Sequence, residues 1–302
     1  MDELYFAYGS NLNSADFKSW CLENGLEYPL RKFANAFIPD MRLVFNYNSP
    51  KRGGGVLNIR NQFGNAVPGA LFRIENGNKG WETLDKKELA PTVHRKLKVT
   101  ALTEDGRAHD AETFLVSAAV TEGLFVPPDE KYVKIVKQGY AEQGLEKAAE
   151  NFFEEIAAGK EPPWCINHLF VYGTFMRGEC RNHILKSTDV IEFAELASAK
   201  GELYDTGKGY PAMVPAAGPA DGPKVSGELF LLKNPRSAFE IVDIVEDFRG
   251  YGSQKSVYRR AVIRTETQSG RSVPAWVYML NGSAEKLSLI ATGDWHKAEK
   301  GA

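Results

Sequence analysis

Three cysteines in 302 residues, Cys21, Cys165 and Cys180, are too few and odd in number to form a disulfide framework, so they read as reduced thiols. Neither sign of charge is in excess. Thirty-seven Lys and Arg face thirty-nine Asp and Glu, a formal charge of −2, with a pI near 6.3. No basic surplus exists to neutralise a phosphate backbone or an anionic bilayer, and neither nucleic acid nor membrane is an expected partner. No apolar run approaches the roughly 18 residues of a membrane span. Met1-Asp2-Glu3 has no basic leader character, and the expected location is cytoplasmic. Nucleotide-binding loops are missing as well: there is no Walker-type Gly-Lys loop, and Gly250-Tyr251-Gly252 lacks the third glycine of a dinucleotide fingerprint. No spacing supports a Ser–His–Asp or Cys–His nucleophile. The composition that remains is 43% hydrophobic and 25% charged, with mean hydropathy −0.34. These are globular values in a chain long enough for two domains of about 150 residues.

What is present is an internal repeat. Leu4-Tyr5-Phe6-Ala7-Tyr8-Gly9-Ser10-Asn11-Leu12 returns as His168-Leu169-Phe170-Val171-Tyr172-Gly173-Thr174-Phe175-Met176. Val67-Pro68-Gly69-Ala70-Leu71-Phe72 returns as Val225-Ser226-Gly227-Glu228-Leu229-Phe230, and Trp81, Leu84, Asp85 and Glu88 return as Phe239, Val242, Asp243 and Glu246, both at a separation of 158 residues. Arg95 and Gly106-Arg107 return as Arg259 and Gly270-Arg271 at a separation of 164. An ordered series of five such matches indicates duplication rather than coincidence. Between the copies, Leu145, Ala148, Phe152 and Ile156 follow helical spacing, which predicts a connector helix over 140–158 stopped by Gly159-Lys160-Glu161-Pro162-Pro163. The expected domains are 1–160 and 161–302. Short β-rich runs with one clear internal helix per half predict an α+β fold, a small β-barrel with flanking helices in each copy.

Two features of each copy carry chemistry. A strand running into Tyr-Gly-Ser/Thr can present successive backbone N–H groups, and glycine admits a ligand where a Cβ would block it; the plain alternative is an ordinary turn after a core strand. Trp81, Leu84 and Glu88, like Phe239, Val242 and Glu246, fall at i, i+3 and i+7, one face of a helix. A Glu on an apolar face loses solvation and its pKa rises toward the range of a general base; the alternative is a structural Glu paired with Arg95 or Arg259. Asp85 and Asp243 read as helix-supporting acceptors. Gly53-Gly54-Gly55 is either a flexible loop or a place of close backbone approach to substrate. Cys165, His168, Cys180 and His183 form two C-x2-H pairs with a zinc-like look. Because a repeat strand lies between them and the first copy has no counterpart, the expected metal content is none.

The residues quoted for the first half, with Gly53-Gly54-Gly55-Val56 beside them, resemble the γ-glutamylcyclotransferase family. The second half is similar to its AIG2-like, γ-glutamylamine cyclotransferase branch, through Phe170–Gly178, Gly209-Tyr210-Pro211-Ala212-Met213, Asp243-xx-Glu246 and Tyr258-Arg259-Arg260. The resemblance implies tandem copies of that family's barrel. It implies cleavage of a γ-glutamyl amide or amine to 5-oxoproline and free amine, without cofactor, on a small-molecule γ-glutamyl partner. By residue-wise correspondence Glu88 and Glu246 are the catalytic acid/base groups. Tyr8, Gly9, Ser10, Asn11 and Leu12, and Tyr172, Gly173, Thr174 and Phe175, bind substrate. The family commonly has Gly directly after that Glu, whereas here Leu89 and Asp247 stand there. The competing expectation is a binding or regulatory module in which one or both pockets are inactive. Gly-Ser-Asn-Leu and the triple glycine make the first half the better-preserved copy. Nothing in the sequence sets an oligomeric state.

Overall fold

A computed structural model describes residues 3–123, 125–145, 153–161, 163–186, 191–216 and 222–298. The chain divides into two compact units, residues 1–101 with 109–165 and residues 102–108 with 166–302. Each unit is built on a closed five-stranded barrel.

In the first unit β1 (Leu4–Ala7) leads through a 3-10 turn (Ser10–Leu12) into α1 (Ser14–Glu23), whose first turn is capped by the Asn13 side chain accepting from the Asp16 N–H. A long hairpin of β2 (Leu30–Ser49) and β3 (Gly54–Ile74) follows, then α2 (Asn78–Lys87), β4 (His94–Leu102), β5 (Ala108–Val116) and α3 (Glu130–Glu142). Around the barrel the order is β1-β3-β2-β4-β5. The second unit runs β6 (His168–Val171), α4 (Asn182–Lys186), β7 (Ile191–Lys200), β8 (Glu202–Asp205), β9 (Pro211–Val214), β10 (Lys224–Leu232), α5 (Pro235–Val245), β11 (Tyr258–Thr267), β12 (Ser272–Leu280) and β13 (Ser288–Leu289). Read round from β6, its barrel is β6-β10-β7-β11-β12, the same cyclic order as the first. In addition β13, β8 and β9 form a three-stranded sheet.

The duplication is kept to the residue. The parallel pair that closes each barrel is Tyr5 opposite Glu112 in the first and Leu169 opposite Trp276 in the second, both members displaced by 164 positions. The antiparallel pair Phe6 opposite Leu71 becomes Phe170 opposite Leu229. Steric exclusion explains why Gly69 and Gly227 recur. A Cβ on Gly69 would lie 2.2 Å from the Ala7 carbonyl oxygen and 2.6 Å from the Phe6 ring, and one on Gly227 would lie 2.3 Å from the Val171 carbonyl oxygen and 2.7 Å from the Phe170 ring. Those rings belong to fully buried side chains that fill the barrels.

The helical stretch expected over 140–158 is not one helix. α3 ends at Glu142, Gly144 takes a left-handed φ of 71°, and residues 153–157 are helical; Ala148, Phe152 and Pro162 lie outside the described residues. The flanking segments are not a bare tether, since Tyr132, Val136, Tyr140, Phe153 and Ile156 are buried in the first core. The triple glycine also differs from expectation. Backbone does approach it, but the approaching chain is the protein's own: a Cβ on Gly55 would meet the Val126 carbonyl oxygen at 2.0 Å and one on Gly54 the Pro127 carbonyl oxygen at 2.8 Å, and the Gly55 N–H donates to the Pro127 carbonyl.

Candidate active site

Each unit places its helix-terminal Glu in a cleft with its Tyr-Gly turn. In both copies the helix stops one residue before the Glu. α2 ends at Lys87 and α5 at Val245, leaving Glu88 and Glu246 as C-caps. The next residues, Leu89 (φ 51°) and Asp247 (φ 49°), are left-handed. The Ala90 N–H then returns to the Asp85 carbonyl and the Leu89 N–H to the Lys86 carbonyl; Phe248 to Asp243 and Asp247 to Ile244 repeat the pattern. This is the Schellman ending, which favours glycine at the left-handed position. Leu89 and Asp247 therefore occupy, as non-glycine residues, the left-handed position at which the family commonly has Gly. The shared apolar face holds, since Leu84, Phe239 and Val242 are fully buried and Trp81 is 9% exposed.

In the first unit the cleft is about 820 Å³ and is lined by Tyr8, Gly9, Ser10, Asn11 and Glu88, with His94, Lys87, Arg52 and Tyr132 among the remaining walls. The Asn11 amide donates to Glu88 Oε1 at 2.7 Å and to the Tyr5 hydroxyl at 2.9 Å. His94 Nδ1–H donates to the Glu88 carbonyl at 2.7 Å and lies 3.7 Å from Glu88 Oε2. The Tyr8 hydroxyl donates to the Phe114 carbonyl at 2.7 Å. The N–H groups of Gly9, Ser10 and Asn11 make no backbone hydrogen bond among the described residues. A Cβ on Gly9 would find only ordinary contacts at 3.6 Å and beyond, so the turn is open to a ligand rather than closed by the protein. Leu12, expected to bind substrate, does not line the cleft. Its side chain is fully buried and its N–H is taken by the Gly9 carbonyl at 3.0 Å.

The second cleft is narrower, about 440 Å³, and Tyr172, Gly173, Thr174 and Phe175 line it with Glu246, Arg181, Tyr210, Pro211 and Tyr258. Pro211 explains the difference: a Cβ on Gly173 would lie 2.5 Å from its Cγ. The Tyr172 hydroxyl donates to the Tyr278 carbonyl at 2.6 Å, the counterpart of the Tyr8 bond. Phe175 stands where the first copy has Asn11, so the amide that holds Glu88 has no equivalent. Burial pushes Glu246 up to about 7, with the Arg181 guanidinium pulling the other way. Burial also raises Tyr8 and Tyr172, with Glu88 and Glu246 adding to the effect.

Neither Arg expected to pair with a Glu does so. Arg259 donates to the Gly106 carbonyl, and Arg95 is exposed. Asp85 pairs with Lys96 at 3.0 Å, and Asp243 accepts from the Tyr278 hydroxyl, which ties α5 to β12. The zinc-like spacing brings nothing together: Cys165 groups with the first unit while His168, Cys180 and His183 group with the second, and His183 Nδ1–H donates to the Cys180 carbonyl. Among the described residues no group of three or more His, Cys, Asp or Glu side chains is placed to hold a metal ion. Arg181, His94, Lys87, Arg52 and Tyr132 are among the cleft residues that sequence reasoning missed. The one available signal was that Lys87 adjoins Glu88.

The family model for γ-glutamyl cyclotransferase, AIG2-like, matches residues 169–297. A γ-glutamylcyclotransferase of Bos taurus is 30% identical over 148 residues, covering 47% of this chain and 72% of the relative. A Vibrio cholerae protein named for the same family is 33% identical over 131 residues, 43% of this chain and 96% of the relative. The chain belongs to the γ-glutamylcyclotransferase family. A γ-L-glutamyl-butirosin B γ-glutamyl cyclotransferase of Niallia circulans is also similar, 28% identical over 114 residues, 38% of this chain and 67% of the relative. Each of these three similarities spans less than half of this chain, as expected of a cyclotransferase-family barrel present in two copies. No described helix is long and apolar enough to cross a membrane.

Proposed function

We propose that this cyclotransferase-family protein cleaves γ-glutamyl amides or amines by attack of the substrate's own α-amine on its γ-carbonyl. There is one site in each of the domains 1–160 and 161–302. The observation that carries the reading is the same pairing in both barrels, a helix-terminal carboxylate sharing a cleft with a Tyr-Gly turn whose N–H groups make no backbone hydrogen bond among the described residues.

The substrate's α-ammonium, with an ordinary pKa of about 8, must lose a proton before its nitrogen can attack. The Glu carboxylate takes that proton, the nitrogen–carbon bond forms, and charge gathers on the γ-oxygen. As the carbon–nitrogen bond to the leaving amine breaks, the Glu returns the proton to it, then carries the second proton from the ring nitrogen to the departing amine, so that 5-oxoproline keeps one N–H and the amine leaves as its ammonium. An ordinary Glu near 4.3 would accept the proton uphill by about 5 kcal/mol, since each pKa unit is about 1.4 kcal/mol. At about 7 Glu246 faces a gap of about 1 to 2 kcal/mol. In the first site Asn11 and His94 hold Glu88 in a fixed orientation. The N–H groups at Gly9–Asn11 and Gly173–Phe175 suit an anionic oxygen, either the substrate carboxylate or the developing oxyanion.

The test is incubation of the full chain, without metal or nucleotide, with a broad panel of γ-glutamyl amides, amines and dipeptides, reading 5-oxoproline. Product from at least one compound is expected. None at high protein concentration sinks the enzymatic reading in favour of a ligand-binding module.

A further inference from the structure

Lys87 is the least expected group in the first cleft. Its side chain is only 6% exposed, yet it lines the cavity beside Glu88. The ammonium rests over the Phe17 and Trp20 rings, 4.6 and 5.1 Å from their centroids. Its nearest carboxylate oxygen, Asp16 Oδ2, is 3.9 Å away, beyond hydrogen-bond distance. Asp16 is already engaged by Arg52, which donates to it at 2.8 and 3.2 Å. An ammonium on a largely buried side chain, held by aromatic faces and making no hydrogen bond among the described residues, is poised for an anion that arrives in the cleft. Burial pulls the Lys87 pKa down, with Glu88 and Asp16 opposing, and an anionic ligand would reinforce the charged form.

Charge counting says which anion. The walls carry Lys51, Arg52 and Lys87 against Glu88. A γ-glutamyl head group brings one ammonium and one carboxylate. With its ammonium at Glu88 and its carboxylate at the turn, it leaves Lys87 only Asp16, at 3.9 Å and already engaged by Arg52. The second cleft offers the contrast, because Val245 occupies the position of Lys87. Its charged walls are Arg181 and Glu246, and Phe175, Tyr210 and Tyr258 supply much of the rest.

Resting on the reading of both clefts as γ-glutamyl sites, we propose that Lys87 is a specificity residue holding an oxyanion carried by the amine portion of the substrate.

The probes are γ-glutamyl-glycine, whose amine portion carries a carboxylate, and γ-glutamyl-ethylamide, whose amine portion carries none. Affinity for each is measured by titration calorimetry on the full chain bearing Glu88→Gln and Glu246→Gln, with and without Lys87→Met. The change on substituting Lys87 reports the first site, because Lys87 does not line the second. One charge-assisted hydrogen bond predicts a first-site preference for the glycine conjugate of about 10- to 100-fold. Lys87→Met should abolish that preference, Lys87→Arg should restore part of it, and added salt should shrink it. Lys87→Gln serves as a second neutral variant, and the salt response requires no substitution of Lys87. Equal affinities for the two probes, or a preference unmoved by neutral substitution and by salt, overturns the assignment. A preference in binding together with no 5-oxoproline from the wild-type chain would leave Lys87 as proposed and refute the catalytic reading. Turnover with no preference would do the reverse.

Discussion

Glu246→Gln should stabilise the second unit in a pH-dependent way while removing its proposed base. The folded carboxyl titrates at about 7 because of burial, against about 4.3 in an unfolded chain. Between those values the folded state keeps a proton that the unfolded state has released, so unfolding free energy falls as pH rises. Below about pH 4 both states are protonated and no penalty exists. Above about pH 7 to 8 it is complete, and a displacement of that size at about 1.4 kcal/mol per unit amounts to roughly 4 kcal/mol. Glutamine keeps the volume and cannot ionise. The variant should therefore match wild type near pH 4 and exceed it by about 4 kcal/mol at pH 8, on the order of 8 to 16 °C in melting temperature for a unit of this size. Urea unfolding of both proteins at a series of pH values, taken as the difference between them, cancels the contribution of the first unit. A difference that is flat with pH, or largest at acid pH, would refute the claim that Glu246 is a desolvated carboxyl.

The same substitutions test chemistry. Glu88→Gln and Glu246→Gln should each cost their own site about 10²- to 10⁴-fold in kcat, and the double variant should give no product above background. A double variant with full turnover would show that Glu is not the base. In the Glu88→Gln chain, remaining turnover should rise with pH through about 7 as Glu246 loses its proton, which initial rates across that range would show. Gly69→Ala and Gly227→Ala should each destabilise their barrel by at least about 1 to 3 kcal/mol in urea titration, since the added Cβ meets a carbonyl at 2.2 or 2.3 Å. Leu89→Gly should relieve the left-handed strain at φ 51° and, because Leu89 is largely exposed, raise stability by about 1 kcal/mol in the same titration.

The repeat made the barrels legible because its landmarks are steric. Gly69 and Gly227 sit where only hydrogen fits, and the Tyr-Gly turns end the strands that close each barrel, so both survive duplication and stand out in the letters. The Glu face was legible for the same reason, through Leu84, Phe239 and Val242. The cations of the clefts were not. Arg181 follows the turn on a short irregular segment with no counterpart spacing in the first copy, and Lys87 reads as a surface lysine at a helix end until α1 brings Phe17 and Trp20 against it. The helix predicted over 140–158 failed because its apolar spacing spans a break at Gly144, whose positive φ ends the turn. Leu12 was misplaced because a motif names neighbours in sequence, whereas the 3-10 turn spends the Leu12 N–H on Gly9 and aims its side chain into the core.

Two copies of one frame have arrived at two electrostatic solutions, and the divergence begins at a single position. Asn11 gives Glu88 a hydrogen-bond donor at 2.7 Å. Phe175, in the same place, brings bulk without a donor and lines the cleft with Pro211 and Glu246, and burial of Glu246 favours its neutral acid. Helix, Schellman ending and closing strand pair are common to both, so the difference does not come from the scaffold. It comes from what the turn presents to the carboxylate. A duplicated chain can vary that residue in one copy while the other keeps its chemistry, and the same freedom set Lys87 against Val245 one step before the Glu.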